Sequence, residues 1–319
     1  MDRYPLVLEA VFKDYLWGGD KLKREWGKLS ELDVIAESWE LSLFPDALSR
    51  VTNGAFAGQT LLEVLEFHSD FAGAKCRSFS KFPTLIKLID SRDNLSVQVH
   101  PSDAYALINE NSFGKTEVWY ILEAEEGAGL YLGFNKNTDR NEVAERIANN
   151  TLTEILNFVP VTAGEAYFVS AGTVHAIGRG ITLAEIQQNS NLTYRVYDFG
   201  RVGKDGKPRE LHVEKALRVM NYKKKTAFAA AYPYVDFGGY KKKVVADDKY
   251  FYTEAYSTDG TCPLFNRDSF LCITSIGGAA ELLYDGGKVS FSKGQSVFLP
   301  AEFEVTVEGK TEFLATMLR

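Results

Sequence analysis

Short runs of alternating apolar and polar residues, most of them closed by glycine, recur along this chain and constrain what it can fold into. "TEVWYILEA" (116–124), "GAGLYLGF" (127–134), "EAYFVSAG" (165–172) and "ITLAEIQQ" (181–188) are rich in aromatic and β-branched residues. Such runs read as strands. Helical spacing is confined to a few stretches: Thr60 to Phe71, Ser102 to Asn111 with a Ser-Asp cap signal, Thr138 to Phe158 as two short helices inserted between strands, and Leu211 to Met220. Near residue 225 the pattern changes. "AAAYPYVDFGGYKKK" (229–243) reads as a linker, and only strand patterns follow it, with Gly277-Gly278 and Asp285 to Gly287 as expected hairpin turns. The expectation is a mainly β protein in two parts. Residues 1–225 form one domain with a helical insertion at about 138–158, and residues 238–319 form a compact all-β second domain.

The bulk numbers narrow the class. With 319 residues and 45% hydrophobic side chains, the chain can bury a large core. A net charge of -7 without a basic stripe argues against a nucleic-acid partner. The lysine triplets at 223–225 and 241–243 read as solvated surface. Cys76, Cys262 and Cys272 are far apart and form no C-x-x-C, as expected of free thiols in a reducing compartment. No signal-peptide pattern opens the chain, and no run approaches the roughly 18 apolar residues of a membrane helix. The expectation is a cytoplasmic protein with no membrane partner.

Against this background "LSVQVHPSD" (95–103) stands out. Residues two apart on a strand share a face. Gln98 and His100 therefore point one way while Val97 and Val99 point the other, in a protein with four histidines. Glu117 opens the next strand pattern. In "GEAYFVSAGTVHAIG" (164–178), Gly164 opens a strand, Gly172 supplies a turn and His175 begins another strand. Two imidazoles, a carboxylate and a side-chain amide make a plausible ligand set for Zn²⁺ or another first-row divalent metal. Each residue has a plainer reading: His100 as a hydrogen-bonded core histidine, His175 as a loop histidine, Gln98 and Glu117 as polar groups on strand faces. Their joint spacing is what favours the metal site.

The spacing Gly164-x5-Ser170-x-Gly172-x2-His175 resembles the second cupin motif, with serine where proline is commoner. More specifically, the chain resembles the type I mannose-6-phosphate isomerases in their short bacterial form. The matching stretches are "YLWGG" (15–19), "ESWELS" (37–42), "FPTLIKLID" (82–90), "LSVQVHPSD", "GKTEVWYIL" (114–122), "GTVHAIG" (172–178), "LTYRVYDFGR" (192–201) and "LHVEKAL" (211–217). They occur in family order over about residues 5 to 220. The resemblance implies two tandem cupin barrels (double-stranded β-helix, or jelly-roll). It implies one Zn²⁺ per chain, held by Gln98, His100, Glu117 and His175. It implies a catalytic role for Arg195, and a sugar phosphate that is interconverted between mannose 6-phosphate and fructose 6-phosphate by proton transfer through a metal-stabilised enediolate. Lys115 matches the family lysine before the metal glutamate. Longer members often read His-Lys-Pro-Glu there. This chain reads Gly114-Lys115-Thr116-Glu117, so a role for that histidine does not carry over.

Three further residues are candidates for substrate contact. Lys115 or Lys87 could orient a sugar hydroxyl or the phosphate. Lys87 sits inside the apolar "LIKLI", where a lysine either reaches for the surface or points into a polar cavity. Trp17 could wall a sugar pocket or belong to the core, Glu40 could hydrogen-bond in the site, and Arg195 could instead pair with Asp198. His68 and His212 read as structural, the latter near a helix start. In the tail, Gly294-x5-Pro300 repeats the start of the second cupin motif with no following histidine, so that barrel is expected to lack a metal site. The competing functions are another metal-dependent cupin sugar isomerase or dioxygenase, and a non-catalytic sugar-phosphate-binding bicupin. Gln98 in place of a ligand histidine, and the "TYRVYD" stretch, count against an iron oxygenase.

Overall fold

The computed structural model describes residues 3–203, 206–229 and 232–319. Its frame is mainly β. A six-stranded antiparallel sheet runs in the order Ala166–Val169, Glu117–Ala124, Ile181–Gln188, Thr84–Ser91, Glu37–Leu41, Val11–Lys13. A five-stranded sheet runs Leu156–Pro160, Gly129–Phe134, His175–Ile177, Val97–Val99, Tyr194–Tyr197. The two close on each other. Ile89, Trp119, Ile121, Ile181 and Leu183 of the first share one core with Leu130, Leu132 and Ile177 of the second.

The other face of the six-stranded sheet is covered as well. Ile86, Leu88, Val118, Ala184 and Ile186 pack with Phe251, Phe270, Phe298 and Leu314 of the tail. Two-sided cover explains why "TLIKLIDS" and "ITLAEIQQ" are buried at every position and read as near-continuous apolar runs rather than strict alternations.

The tail forms a nine-stranded sheet built on the long strands Phe251–Asn266, Leu271–Tyr284 and Phe303–Met317. The chain's first strand, Leu6–Glu9, joins this sheet and not the preceding two. It pairs antiparallel with Ser296–Leu299, with Leu6 opposite Phe298.

Several expected elements differ in detail. The Thr60–Phe71 pattern forms a helix only over Leu61–Phe67, followed by a 3₁₀ turn at Ser69–Ala72. Thr60 and Glu63 make a reciprocal capping box at its start. At its end His68 stacks between Phe56 and Phe71, with ring centroids 5.2 and 5.1 Å away. Of the two helices expected within 138–158, one is the helix Arg140–Ala148, the other is a 3₁₀ turn at Leu152–Ile155, and a strand begins at Leu156. The expected hairpin turn at Gly277-Gly278 is instead a bulge inside Leu271–Tyr284, where the register against Phe303–Met317 shifts. Gly278 has φ +70°, and a Cβ there would lie 2.2 Å from the Lys310 carbonyl, so the glycine serves a bulge and not a chain reversal. Asp285–Gly287 does turn the chain, since Tyr284 pairs with Gly287.

Candidate active site

Strand pairing brings the metal candidates together. His175 is the register partner of Gln98, and Gln98 in turn faces Arg195, so one row crosses three strands of the five-stranded sheet. His100 follows directly after Val99. Glu117 enters from the opposing sheet, where it pairs with Val169 and Gln187. His100, Glu117 and His175 are fully buried, and their ligand atoms lie within 4.8 Å of one another.

The donor chemistry suits a cation. His100 Nδ1 lies 2.8 Å from the Leu192 carbonyl and His175 Nδ1 lies 2.8 Å from the Thr173 carbonyl. A carbonyl only accepts, so both rings donate from Nδ1. Each Nε2 is thereby left as a lone pair aimed inward, the tautomer a metal requires. Glu117 Oε1 is 3.3 Å from His175 Nε2 and 3.7 Å from His100 Nε2. The Gln98 amide Nε2 is 3.4 Å from His175 Nε2, so an amide flip is what turns its oxygen toward a metal. A tetrahedral ion with bonds of about 2.1 Å needs ligand atoms about 3.4 Å apart. His100 Nε2 and both Glu117 carboxylate oxygens are buried without a hydrogen-bond partner. Lys115 Nζ lies 2.9 Å from Glu117 Oε2, an ion pair without hydrogen-bond alignment. Orphaned inward-facing acceptors at this spacing fit a divalent metal.

The two histidines are in the state a metal requires, whereas the metal-free Glu117 carboxyl must give up a proton to bind one. Burial pulls His175 down to about 4 and His100 well below the ordinary imidazole value, so both stay neutral at pH 7. Burial raises Glu117 to about 8, with Lys115 opposing the rise and Glu185 adding to it.

Beside the ligands is a cavity of about 270 Å³, lined by Trp17, Lys87, Gln98, Lys115 and Arg195 among others. Every substrate-side candidate of the sequence thus reaches one space. Trp17 is buried, with its ring 5.6 Å from that of Tyr15. Lys87 points into the cavity and not to the surface. Its Nζ is 3.4 Å from Glu37 Oε2, 3.3 Å from Glu185 Oε1 and 4.7 Å from the Trp39 ring centre. Lys115 Nζ is also 3.6 Å from Glu185. A row Trp39–Lys87–Glu185–Trp119 therefore crosses four strands. Trp39 Nε1 donates to Glu37 and Trp119 Nε1 donates to Glu185, at 2.7 and 2.9 Å. Burial works against the Glu185 carboxylate, but Lys115 and Lys87 outweigh it and hold it at about 2. Glu37, Glu117 and Glu185 set three carboxylates against two lysines. An ionised floor is one negative charge in excess, and a divalent cation reverses that sign.

Arg195 does not pair with Asp198. Its Nε lies 3.3 Å from Ser96 Oγ and its Nη1 donates to the Glu210 carbonyl at 2.9 Å. Asp198 is taken by Arg201 and Arg209. Glu40 is on the wrong face for the site: alternation puts Glu37, which lines the cavity, and Trp39 on one face of the sheet and Ser38 and Glu40 on the other. There Glu40 meets Lys28 at 2.5 Å and accepts from Ser296 Oγ at 3.0 Å. His212 stands at the N-cap position of the helix Val213–Val219, and its Nδ1 accepts from the Arg195 N–H at 3.3 Å.

Comparison with known proteins bears on this geometry. Residues 6–127 match the catalytic domain of type I phosphomannose isomerase, and residues 240–318 match the cupin domain of mannose-6-phosphate isomerase. A probable mannose-6-phosphate isomerase GmuF of Bacillus subtilis is 34% identical over 98% of either chain. A mannose-6-phosphate isomerase of Streptococcus mutans is 33% identical over 93% of this chain and 92% of its own. The crystal structure of mannose 6-phosphate isomerase from Bacillus subtilis superposes with a TM-score of 0.91 at 31% identity, covering 98% of this chain and 99% of that one. The chain belongs to the type I mannose-6-phosphate isomerase family. The mainly β class expected from the sequence holds, with a cupin domain over residues 240–318.

Sequence reasoning missed Glu37, Glu185, Trp119 and Arg209 in this member of the family. A signal existed for Glu185. Like Lys87, it interrupts an apolar strand run, and such a charge needs an opposite charge inside. Arg209 lies in an irregular loop, where no periodicity tells where a side chain points.

Proposed function

We propose that this protein is a zinc-dependent aldose–ketose isomerase interconverting mannose 6-phosphate and fructose 6-phosphate. The observation that carries the reading is the inward set of His100, Glu117 and His175 beside Gln98, with buried acceptors unpaired, opening on a cavity that also holds Arg195. Gln98, His100, Glu117 and His175 hold the metal, with the Gln98 amide presenting its oxygen. Two neutral imidazoles, an amide and one carboxylate at tetrahedral spacing favour zinc. When bound, the metal supplies positive charge beside the sugar oxygens that become an enediolate as the proton leaves C2.

The chain's own groups do the rest. Arg195 keeps its charge at any working pH and offers a fixed donor fork to the same developing oxygens. Its neutral partners, Ser96 and the Glu210 carbonyl, hold the guanidinium in place without discharging it. Lys115 and Lys87 donate to sugar hydroxyls near the reacting carbons, and the carboxylates on either side fix where their ammonium groups lie. Trp17 offers an apolar wall to the sugar and helps exclude water. Residues 1–225 act as the catalytic unit and 238–319 as a cupin-like unit without a metal site. Free thiols and the soluble metabolic character of the family fit a cytoplasmic setting.

The test is conversion of mannose 6-phosphate to fructose 6-phosphate before chelation, after it, and with zinc restored. The expected result is activity lost with the metal and recovered with zinc. A folded, zinc-loaded protein inert on this pair would reject the assignment.

A further inference from the structure

Four cationic side chains line the cavity: Lys87, Lys115, Arg195 and Arg209. They differ in what neutralises them. Lys87 sits between Glu37 and Glu185, and Lys115 sits against Glu117 and Glu185, so the lysines are matched by carboxylates at close range. Arg195 touches only neutral acceptors. Arg209 donates from Nε and Nη2 to the two Asp198 oxygens, at 2.8 and 2.5 Å, but Asp198 is shared with Arg201, whose Nη2 is 2.6 Å from it. Arg201 also lies 3.9 Å from Asp93, which is half exposed. Among the described residues, Arg195, Arg201 and Arg209 gather around the shared Asp198, with Asp93 and Glu210 lying further out toward solvent, while carboxylates flank each lysine.

The backbone places that arginine cluster away from the metal. His175, Gln98 and Arg195 follow one another across three adjacent strands, so Arg195 occupies the edge strand, with Gln98 between it and His175. The chain then leaves the sheet through Asp198 and comes back at His212, whose N–H donates to the Arg195 carbonyl at 2.7 Å. Arg209 sits on this returning segment, three residues before the closure. Ser96, Asn191 and Thr193 add hydroxyl and amide groups to the same wall.

We infer that Arg209, oriented by Asp198, is the residue that selects a phosphorylated sugar by gripping its terminal phosphate. The inference rests on the proposed isomerase reading and assigns a specificity role within that site. The reacting carbons must lie beside the metal ligands, and the phosphate is at the remote end of the open-chain sugar. That end falls where the arginines cluster around one shared carboxylate and where a planar fork can give paired hydrogen bonds to phosphate oxygens. The lysines are poorer candidates for a dianion, because each already faces carboxylates. Asp198 fixes the plane of Arg209, as an outer carboxylate fixes a ligand imidazole, and so lowers the entropy lost on binding.

The test compares wild type, Arg209→Ala and Arg209→Lys, each confirmed to hold the same zinc content, on mannose 6-phosphate and on unphosphorylated mannose. Binding of inorganic phosphate to each zinc-loaded protein is measured by calorimetry. Arg209→Ala should raise KM for mannose 6-phosphate roughly 30- to 100-fold with kcat changed less than about threefold, as expected for loss of a charge-assisted hydrogen bond. It should leave kcat/KM on mannose unchanged and weaken inorganic phosphate binding. Arg209→Lys should recover part of the loss, keeping the charge without the fork. Equal losses on both sugars, or phosphate binding indifferent to the substitution, would overturn the inference. If wild type converts neither sugar, the isomerase reading falls, while the phosphate titration still decides the role of Arg209.

Discussion

The two halves of this molecule fill their β interiors in opposite ways. In the tail, Tyr256, Leu264, Ile273, Leu282, Phe291, Val307 and Phe313 pack into one apolar cluster, the Tyr256 and Phe313 rings stack at 4.9 Å, and the buried Glu254 beside it is held by Tyr252, Tyr256 and Lys242. In the first half, Trp119, Ile121, Leu130 and Leu132 begin a similar cluster. Strand positions of the same alternating pattern then carry Lys87, Gln98, Glu117, His175 and Glu185 inward. What separates a core from a reaction vessel is the chemistry at a few inward positions, together with enough opposite charge to let them stay buried. Only the first half contains histidines.

Substitutions that attack this contrast should separate activity from stability. His175→Ala removes an inward lone pair, so zinc content should collapse and kcat/KM should fall on the order of a thousand-fold or more, matching loss of several kcal/mol of metal assistance. Metal analysis beside the isomerase assay checks this, and retained zinc with full turnover would refute the ligand assignment. Phe313→Ala in the tail should do the reverse. Its fully buried ring predicts a loss of about 3–5 kcal/mol in stability, read by denaturant titration, with kcat per folded molecule unchanged.

A pH series sharpens the comparison. In the metal-free folded protein His175 is held at about 4, whereas an unfolded chain protonates near 6.5. The depressed value means that its contribution is full above pH 6.5 and is lost as pH falls through 4. The cost is about 3 kcal/mol from this residue, and His100, depressed in the same direction by its burial, adds to it. Unfolding midpoints of chelated protein between pH 7 and 4 should therefore drop, and His175→Gln should flatten the slope. A slope untouched by the substitution would show that the imidazole does not titrate as described. The smallest effect concerns Trp119→Phe, which removes one hydrogen bond to Glu185 and should cost roughly tenfold in kcat. Measured without added metal, the same variant should keep the wild-type fold by circular dichroism.

Legibility of the site tracked periodicity. Gln98 and His175 could be read because a two-residue strand period tells which face a side chain takes, and the register pairs them. Lys87 could be flagged because it breaks an apolar run, although its partners could not: Glu37 and Glu185 come from strands on either side, and nothing local encodes which strands are neighbours. Glu40 illustrates the converse. It lies in the same short stretch as Glu37, yet counting alternation from Glu37 places it outside the cavity. Gly277-Gly278 was misread because a glycine pair supports a bulge as readily as a turn. Long-range pairing decides between them, and Leu271–Tyr284 continues through both glycines.

The strand Leu6–Glu9 has a consequence for how the chain matures. It emerges first during synthesis, but its partner Ser296–Leu299 lies near the opposite end of the sequence. At ribosomal speeds of about 5–20 residues per second, the first strand waits roughly 15 to 60 s for that partner. Leu8 also pairs with Val51, a partner made within seconds, so the strand can be covered on one side long before its other side is met. Closure of this strand onto Ser296–Leu299 is thus a late, high-contact-order event, whereas its pairing with Arg50–Val51 is local.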